Sequence, residues 1–283
     1  MKSSKTWFIT GASQGIGLEL AKQALEKGHN VIATTRNIAR LKTALQTSNG
    51  ELLAVDMDIT NETSVAMAVR NGIDQFGKID YMVNNAGYGL LGGIEESSRG
   101  EVQANFDINV FGLLNVIRAA LPHMRENRSG HIINLSSVFG LIAGAGWGIY
   151  CATKFAVEGL SEALEQEVSP FGIKVTIIEP GYFRTNFLES GSLIIPVNPI
   201  EAYGEIAEIK RKHQSEIPGT QPGDPAKAAA VILETVALDN PPLRLLLGSD
   251  AVNYALYKTD LLKAGIESNK NISISTDYAV AEK

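Results

Sequence analysis

The chain has a single cysteine, Cys151, among its 283 residues, so it can form no intramolecular disulfide and no cysteine-based metal cluster. Its four histidines, at positions 29, 123, 131 and 213, show no ligand spacing, and no metal site is expected. Positive charge is also short: 25 Lys and Arg stand against 31 Asp and Glu, for a net charge of −6. Without a basic stripe, nucleic acid is not an expected partner. No apolar run reaches the ~20 residues needed to cross a bilayer. The first strand begins by Lys5 or Thr6, which leaves no room for a signal peptide. A soluble, cytoplasmic protein with no membrane partner is the expectation.

What is present fits one large α/β domain spanning 1–283, with 45% hydrophobic and 20% charged residues and no visible repeat. Thr6–Thr10 is a short apolar run, followed by the turn Gly11-Ala-Ser-Gln-Gly-Ile-Gly17. Helical periodicity runs from Ile16 to Lys27, Gly28 suits the position after the helix, and β-branched Val31–Thr35 reads as a second strand. A strand–glycine turn–helix–strand unit gives such a turn its meaning, because the helix N-terminus offers free N–H groups to a pyrophosphate. The spacing is G-x-x-x-G-x-G rather than G-x-G-x-x-G, and three nearby glycines can also simply make a turn.

The alternation continues through a helix capped by Asn37 to about Ser48, a strand from Glu51 to Val55, and a helix over 62–76. A strand over 79–83 runs into Asn84-Asn-Ala-Gly87, and a long helix covers 101–125. A strand ends at Ser137, a helix runs from about Tyr150 to Val168, and a strand over 174–178 stops at Pro180-Gly181. Asp224-Pro225 opens a helix to about Leu238, and Leu243–Leu247 is the last strand. Seven strands alternating with helices predict a doubly wound, seven-stranded parallel sheet with helices on both faces, a Rossmann-like α/β fold. Ligands bind such sheets beyond the carboxyl ends of the strands, where the motifs sit. The polar stretch from about Ser268 to Lys283 lacks a period and reads as a loose tail.

The chemistry concentrates in 137–154. Tyr150 and Lys154 lie four residues apart, on one face of a helix. A phenol holds its proton to about pH 10, and a neighbouring ammonium lowers that value toward the range useful for acid–base work. Ser137 can donate a hydrogen bond to the same substrate oxygen. These groups can polarise a carbonyl and protonate the alkoxide formed from it, but they supply no electrons, so a hydride must come from a cofactor. A Tyr and a Lys at this spacing also occur widely as a packed ring beside a solvated amine.

Thr10-Gly-Ala-Ser-Gln-Gly-Ile-Gly17, Asn84-Asn-Ala-Gly87, Asn109, Ser137, Tyr150-Cys-Ala-Thr-Lys154 and Pro180-Gly181 occur in one order. With thirteen residues from Ser137 to Tyr150, the ordered set resembles the short-chain dehydrogenase/reductase family over roughly residues 5–186. The resemblance implies that Tyr150 is the general acid/base, that Ser137 positions the substrate oxygen, and that Lys154 lowers the tyrosine pKa and bonds the nicotinamide ribose. It implies that Asn109 holds a water in a proton relay through a local break in its helix; the alternative is a polar residue satisfying backbone groups. Gly11, Ser13, Gln14, Gly15, Ile16 and Gly17 would hold the pyrophosphate end of the cofactor. Asp58, with Ile59, would touch the adenine, unless its carboxylate caps a helix. Asn85, Ala86 and Gly87 would pass beside the adenosine, and Pro180, Gly181, Phe183 and Thr185 would meet the nicotinamide.

The second strand ends in Thr35-Arg36, with no acidic residue to take the ribose hydroxyls, so NADP(H) is expected over NAD(H). Thr185–Gly223 is long for a connection and carries Phe187, Leu188, Leu193, Ile194, Ile195 and Pro196, which suggests a lid over an apolar substrate. Residues 141–148 add a second apolar stretch beside the reacting groups. Cys151 adjoins Tyr150 but faces elsewhere on the helix and is no candidate nucleophile. The family commonly forms homodimers or homotetramers, and the helix face with Phe155, Gly159 and Ala163 can pack on a partner or on the sheet. The resulting expectation is an enzyme passing a hydride between NADP(H) and an apolar secondary alcohol or ketone. The alternatives are a non-catalytic dinucleotide sensor or scaffold, or an epimerase or dehydratase with a retained cofactor.

Overall fold

The computed structural model describes residues 4–45, 49–189 and 191–278. Its first half runs β1 (Thr6–Ile9), α1 (Gly15–Glu26), β2 (Asn30–Thr35), α2 (Ile38–Ala44), β3 (Leu52–Asp56), α3 (Glu62–Phe76), β4 (Tyr81–Asn84), β5 (Gly89–Leu90), α4 (Arg99–Phe106) and α5 (Leu113–Glu126). The second runs β6 (Gly130–Leu135), α6 (Gly148–Val168), β7 (Ile173–Pro180), β8 (Leu193–Ile194), α7 (Gly204–Ser215), α8 (Pro225–Val236), β9 (Arg244–Leu247) and α9 (Ser249–Ile274). Seven strands form one sheet in the order β3-β2-β1-β4-β6-β7-β9, every pair parallel. The chain crosses from one half of the sheet to the other between β1 and β4. That reversal opens the crevice at the strands' carboxyl ends.

The strands are mostly apolar because both faces are covered. Alternate residues of one strand serve opposite cores: Trp7 and Ile9 pack under α1 and α8, while Phe8 packs with Val65, Val116 and Val157 of α3, α5 and α6. Asn37, Asn61 and Asp224 accept backbone N–H groups at the starts of α2, α3 and α8. Ser98 and Glu101 form a reciprocal capping box on α4. Phe155, Gly159 and Ala163 point away from the sheet, and Phe155 is 43% exposed.

Four stretches refine or differ from the sequence reading. The helix predicted to reach Ser48 ends at Ala44, and residues 46–48 lie outside the described set. The helix predicted over 101–125, with a local break at Asn109, is α4 and α5 joined by a π-helical turn over Asp107–Gly112. The lid stretch is fastened: β8 pairs with β5, and α7 is held by a buried Lys210–Glu96 ion pair of 3.0 Å. Glu96 also accepts the Gly93 and Ile200 N–H groups. Finally, α9 carries the chain to Ile274, through the segment read as a loose tail; residues 279–283 lie outside the described set. Beyond its first turns this helix is exposed on every side, so no buried face imposes a period on its sequence. No helix among the described residues is long and apolar enough to cross a membrane.

Asp80, just before β4, locks the other end of the sheet. Its carboxylate takes Lys5 Nζ at 3.0 Å, Lys78 Nζ at 2.9 Å and the Thr6 N–H at 2.9 Å. Burial alone would push the carboxyl up, but the bonds from Lys78, Thr6 and Lys5 outweigh it and hold it below the ordinary value. A depressed folded-state pKa stabilises the fold above the unfolded value, and that contribution is lost as pH falls through the folded one. Asp80→Ala should therefore lower the unfolding free energy at neutral pH by about 1.5–3 kcal/mol. In urea titrations its deficit against the unmodified chain should shrink below about pH 4.

Candidate active site

A cavity of about 520 Å³ opens at the carboxyl edge of the sheet, and it gathers most of the predicted residues. The turn after β1 is built on two left-handed glycines, Gly11 (φ 63°) and Gly15 (φ 60°). A Cβ on Gly11 would lie 3.0 Å from Ala86 Cα, so only glycine lets the two turns meet. Asn85 knits them: its Nδ2 donates to the Thr10 and Gly11 carbonyls at 2.8 and 3.0 Å. Thr10 Oγ1 accepts the N–H groups of Asn85 and Ala86, both at 2.9 Å. Gln14 opens α1 without capping it, and its amide instead donates to Ser192 Oγ at 2.6 Å. The first N–H groups of α1 thus have no side-chain partner and meet the cavity at Gly15 and Ile16, a cradle that fits a dinucleotide's pyrophosphate.

At the other end of the cradle β2 delivers Thr35 and Arg36. Thr35 Oγ1 is occupied by the Asn37 N–H at 3.0 Å, and Arg36 and Arg40 both line the cavity. Asp58 lines it too, beside Ile59. It caps no helix, since Asn61 caps α3; its Oδ1 accepts the Thr60 hydroxyl at 2.7 Å and N–H at 2.9 Å. The Thr60 bonds hold this exposed carboxyl below its ordinary value.

Ser137 lies two residues past the end of β6, and Tyr150 and Lys154 occupy the first turns of α6. The Ser137 hydroxyl accepts the Phe139 N–H at 3.1 Å. Both helix side chains are 6% exposed, and Lys154 Nζ lies 5.7 Å from the Tyr150 ring centroid. Burial adds to the electrostatics of this pair. Burial dominates and raises the Tyr150 phenol well above its ordinary pKa, with Ser137 pulling it partly back. Lys154 does not pair with the phenol; its ammonium donates to the Leu135 carbonyl at 2.7 Å. Burial lowers Lys154 to about 8, against the attraction of Glu158. Glu158 shares Arg244 with Glu162 and Glu179, and burial together with the facing Glu158 carboxylate pushes Glu179 up.

Three predicted residues stand behind the wall rather than in it. Gly17 packs on Asn85, and Thr185 lies beside Gly15 while its hydroxyl accepts the Phe187 N–H. Asn109, in the π-helical turn, donates to the Tyr88 carbonyl at 3.0 Å and to Thr153 Oγ1 at 3.1 Å, and accepts the Tyr88 N–H at 3.0 Å. Its carboxamide satisfies both backbone groups of Tyr88. The residues that sequence reasoning missed are Tyr88, Tyr182, Arg40 and Ser192, all lining the cavity. Tyr182 carried a signal only in lying between Pro180-Gly181 and Phe183.

The model of the short chain dehydrogenase family matches residues 5–192. The chain belongs to that family. Oxidoreductase BOA17 of Botryotinia fuckeliana is 38% identical over 276 residues, covering 96% of this chain and 99% of the relative. A 3-ketodihydrosphingosine reductase of Bacteroides thetaiotaomicron is 38% identical over 243 residues, covering 85% and 87%. Among solved structures, a short-chain dehydrogenase from Streptomyces avermitilis superposes with a TM-score of 0.90 at 38% identity, covering 98% of this chain and 100% of that one. The protein is accordingly an NAD(P)-dependent oxidoreductase acting on an alcohol or carbonyl group.

Asn109 generates a test of the frame. Asn109→Ala strands the Tyr88 N–H, while the Tyr88 carbonyl keeps the Asn105 amide at 3.0 Å, and such an orphan costs about 1–3 kcal/mol. The expected result is a loss of stability of that size or more, with hydrogen exchange at the Tyr88 amide accelerated ahead of the β1 amides.

Proposed function

We propose that this enzyme reduces apolar ketones with NADPH, and that Tyr150, Ser137 and Lys154 carry the proton chemistry. The observation behind the reading is that these three converge on one cavity whose other end is an uncapped helix N-terminus beside two arginines. The bound nicotinamide supplies the hydride. Ser137 and Tyr150 hold the substrate oxygen, and Tyr150 gives it the proton. A buried phenol with a raised pKa keeps that proton through the neutral range. Lys154 holds a positive charge close to the same oxygen, which favours the negative charge that develops there.

Phe139, Trp147, Phe187 and Leu188 line the reacting end, and Trp147 and Phe187 stand 5.5 and 5.7 Å from the Tyr150 ring. Such a wall suits an apolar substrate. A relative named for reducing a keto compound agrees with the reductive direction. Preference for NADPH is supported by Arg36 just after β2 and Arg40 on α2, both lining the cavity, while no residue of β2 offers a carboxylate.

Two substitutions test this. Tyr150→Phe keeps the ring and loses the proton, so turnover should fall ~10²–10⁴-fold while melting temperature and NADPH binding hold. A variant retaining half the activity would remove Tyr150 from the mechanism. Arg36→Ala should weaken NADPH binding by about one to two decades, the worth of a charge-assisted hydrogen bond, and leave NADH nearly unchanged. Equal losses for both, in fluorescence titrations, would exclude the assignment.

A further inference from the structure

The hydrogen-bond polarity of Tyr182 carries information about the substrate, because the hydrogen of its hydroxyl is already committed. His213 sits in the last turn of α7 and is 7% exposed. Its Nδ1 lies 2.8 Å from the carbonyl oxygen of Ile209, which can only accept, so Nδ1 carries the ring hydrogen. Burial keeps the imidazole neutral by lowering its pKa. In that tautomer Nε2 is an acceptor, and the Tyr182 hydroxyl 2.9 Å away must be the donor. The Tyr182 oxygen is left with lone pairs and no hydrogen to give.

That oxygen belongs to a residue lining the same cavity as Tyr150. Its position is fixed from several sides. The Tyr182 N–H donates to Asp250 Oδ2 at 2.7 Å and its carbonyl accepts the Gly223 N–H at 3.0 Å. The His213 ring packs edge-on against Trp147 with centroids 5.2 Å apart. Phe139, Phe187 and Leu188 make the rest of this end apolar. An acceptor set in such a wall is costly unless the ligand pairs with it.

We infer that Tyr182, oriented by His213, selects substrates that present a hydrogen-bond donor, a hydroxyl or an ammonium, near the reacting carbonyl. The inference rests on the reading of the chain as a carbonyl reductase. Tyr182 is the specificity-determining residue, and His213 is a positioning residue acting through it.

The test compares kcat/KM with NADPH for α-hydroxyacetophenone and β-hydroxypropiophenone, each against its methoxy ether, which accepts but cannot donate. In the unmodified enzyme one hydroxy ketone should exceed its ether by about tenfold or more, the worth of one hydrogen bond. In Tyr182→Phe that ratio should collapse toward one, with NADPH affinity unchanged. A preference caused by the bulk of the methyl group would survive that change, and an unaltered ratio overturns the inference. His213→Leu releases the Tyr182 hydrogen, so the ether should gain several-fold in that variant. A role in packing alone predicts no such gain, and its absence likewise counts against the assignment. If none of the ketones is reduced although NADPH binds, the reductase reading itself fails and the inference falls with it.

Discussion

The removal of Tyr150 and Lys154 from water is the constraint to which the rest of the site answers. An ammonium leaving solvent needs donors satisfied and opposite charge at hand, or it loses its proton. The Leu135 carbonyl takes one of its hydrogens at the very end of β6, and Glu158, one helical turn on, supplies the negative charge. This fixes α6 against β6 and so sets Tyr150 opposite Ser137. Glu158 is itself buried, and it holds its place through Arg244 on the edge strand β9. Charge at the reacting centre is thereby tied across β7 to the far edge of the sheet.

A chain of hydrogen bonds secures the same helix from the opposite side. Thr153 donates to the Tyr150 carbonyl at 2.7 Å and accepts from Asn109, whose carboxamide grips both backbone groups of Tyr88. The π-helical turn places Asn109 where it can do this, as extra-wide turns commonly do near functional sites. The wall formed by 185–223 is held just as firmly. Gln14 reaches Ser192, and the buried Glu96–Lys210 pair anchors α7. A buried ion pair adds little net stability but strongly penalises any arrangement that separates its members. Its effect here is to specify where His213 and the roof of the cavity stand.

What the sequence disclosed, and what it withheld, follows from the range of the interactions. Strands buried on both faces, the glycine turn and the caps at Asn37 and Asp224 are local, and they read correctly. The order Ser137, Tyr150, Lys154 was legible because one strand end and one helix face set their geometry. The fastening of the lid was not, because β5 and β8 are two residues each and Glu96 lies 114 residues from Lys210. The continuation of α9 past Ser268 was missed for the opposite reason, since an exposed helix leaves no apolar stripe to read. The burial of Tyr150 and Lys154 was not legible, because spacing reports neighbours and says nothing of desolvation.

That last point bears on direction. Proton transfer to a nascent alkoxide needs a phenol that still holds its hydrogen, while oxidation of an alcohol needs the phenolate. Proximity of an ammonium argues for the phenolate; burial argues for the phenol, and in this fold burial has the larger effect. Lys154, lowered to about 8, carries its charge through the neutral range without converting its neighbour to the anion. The folded chain therefore presents a proton donor and a positive charge together at neutral pH. That pairing is what the proposed reduction of a carbonyl draws on: a proton to give and a positive charge beside the oxygen that gains electrons.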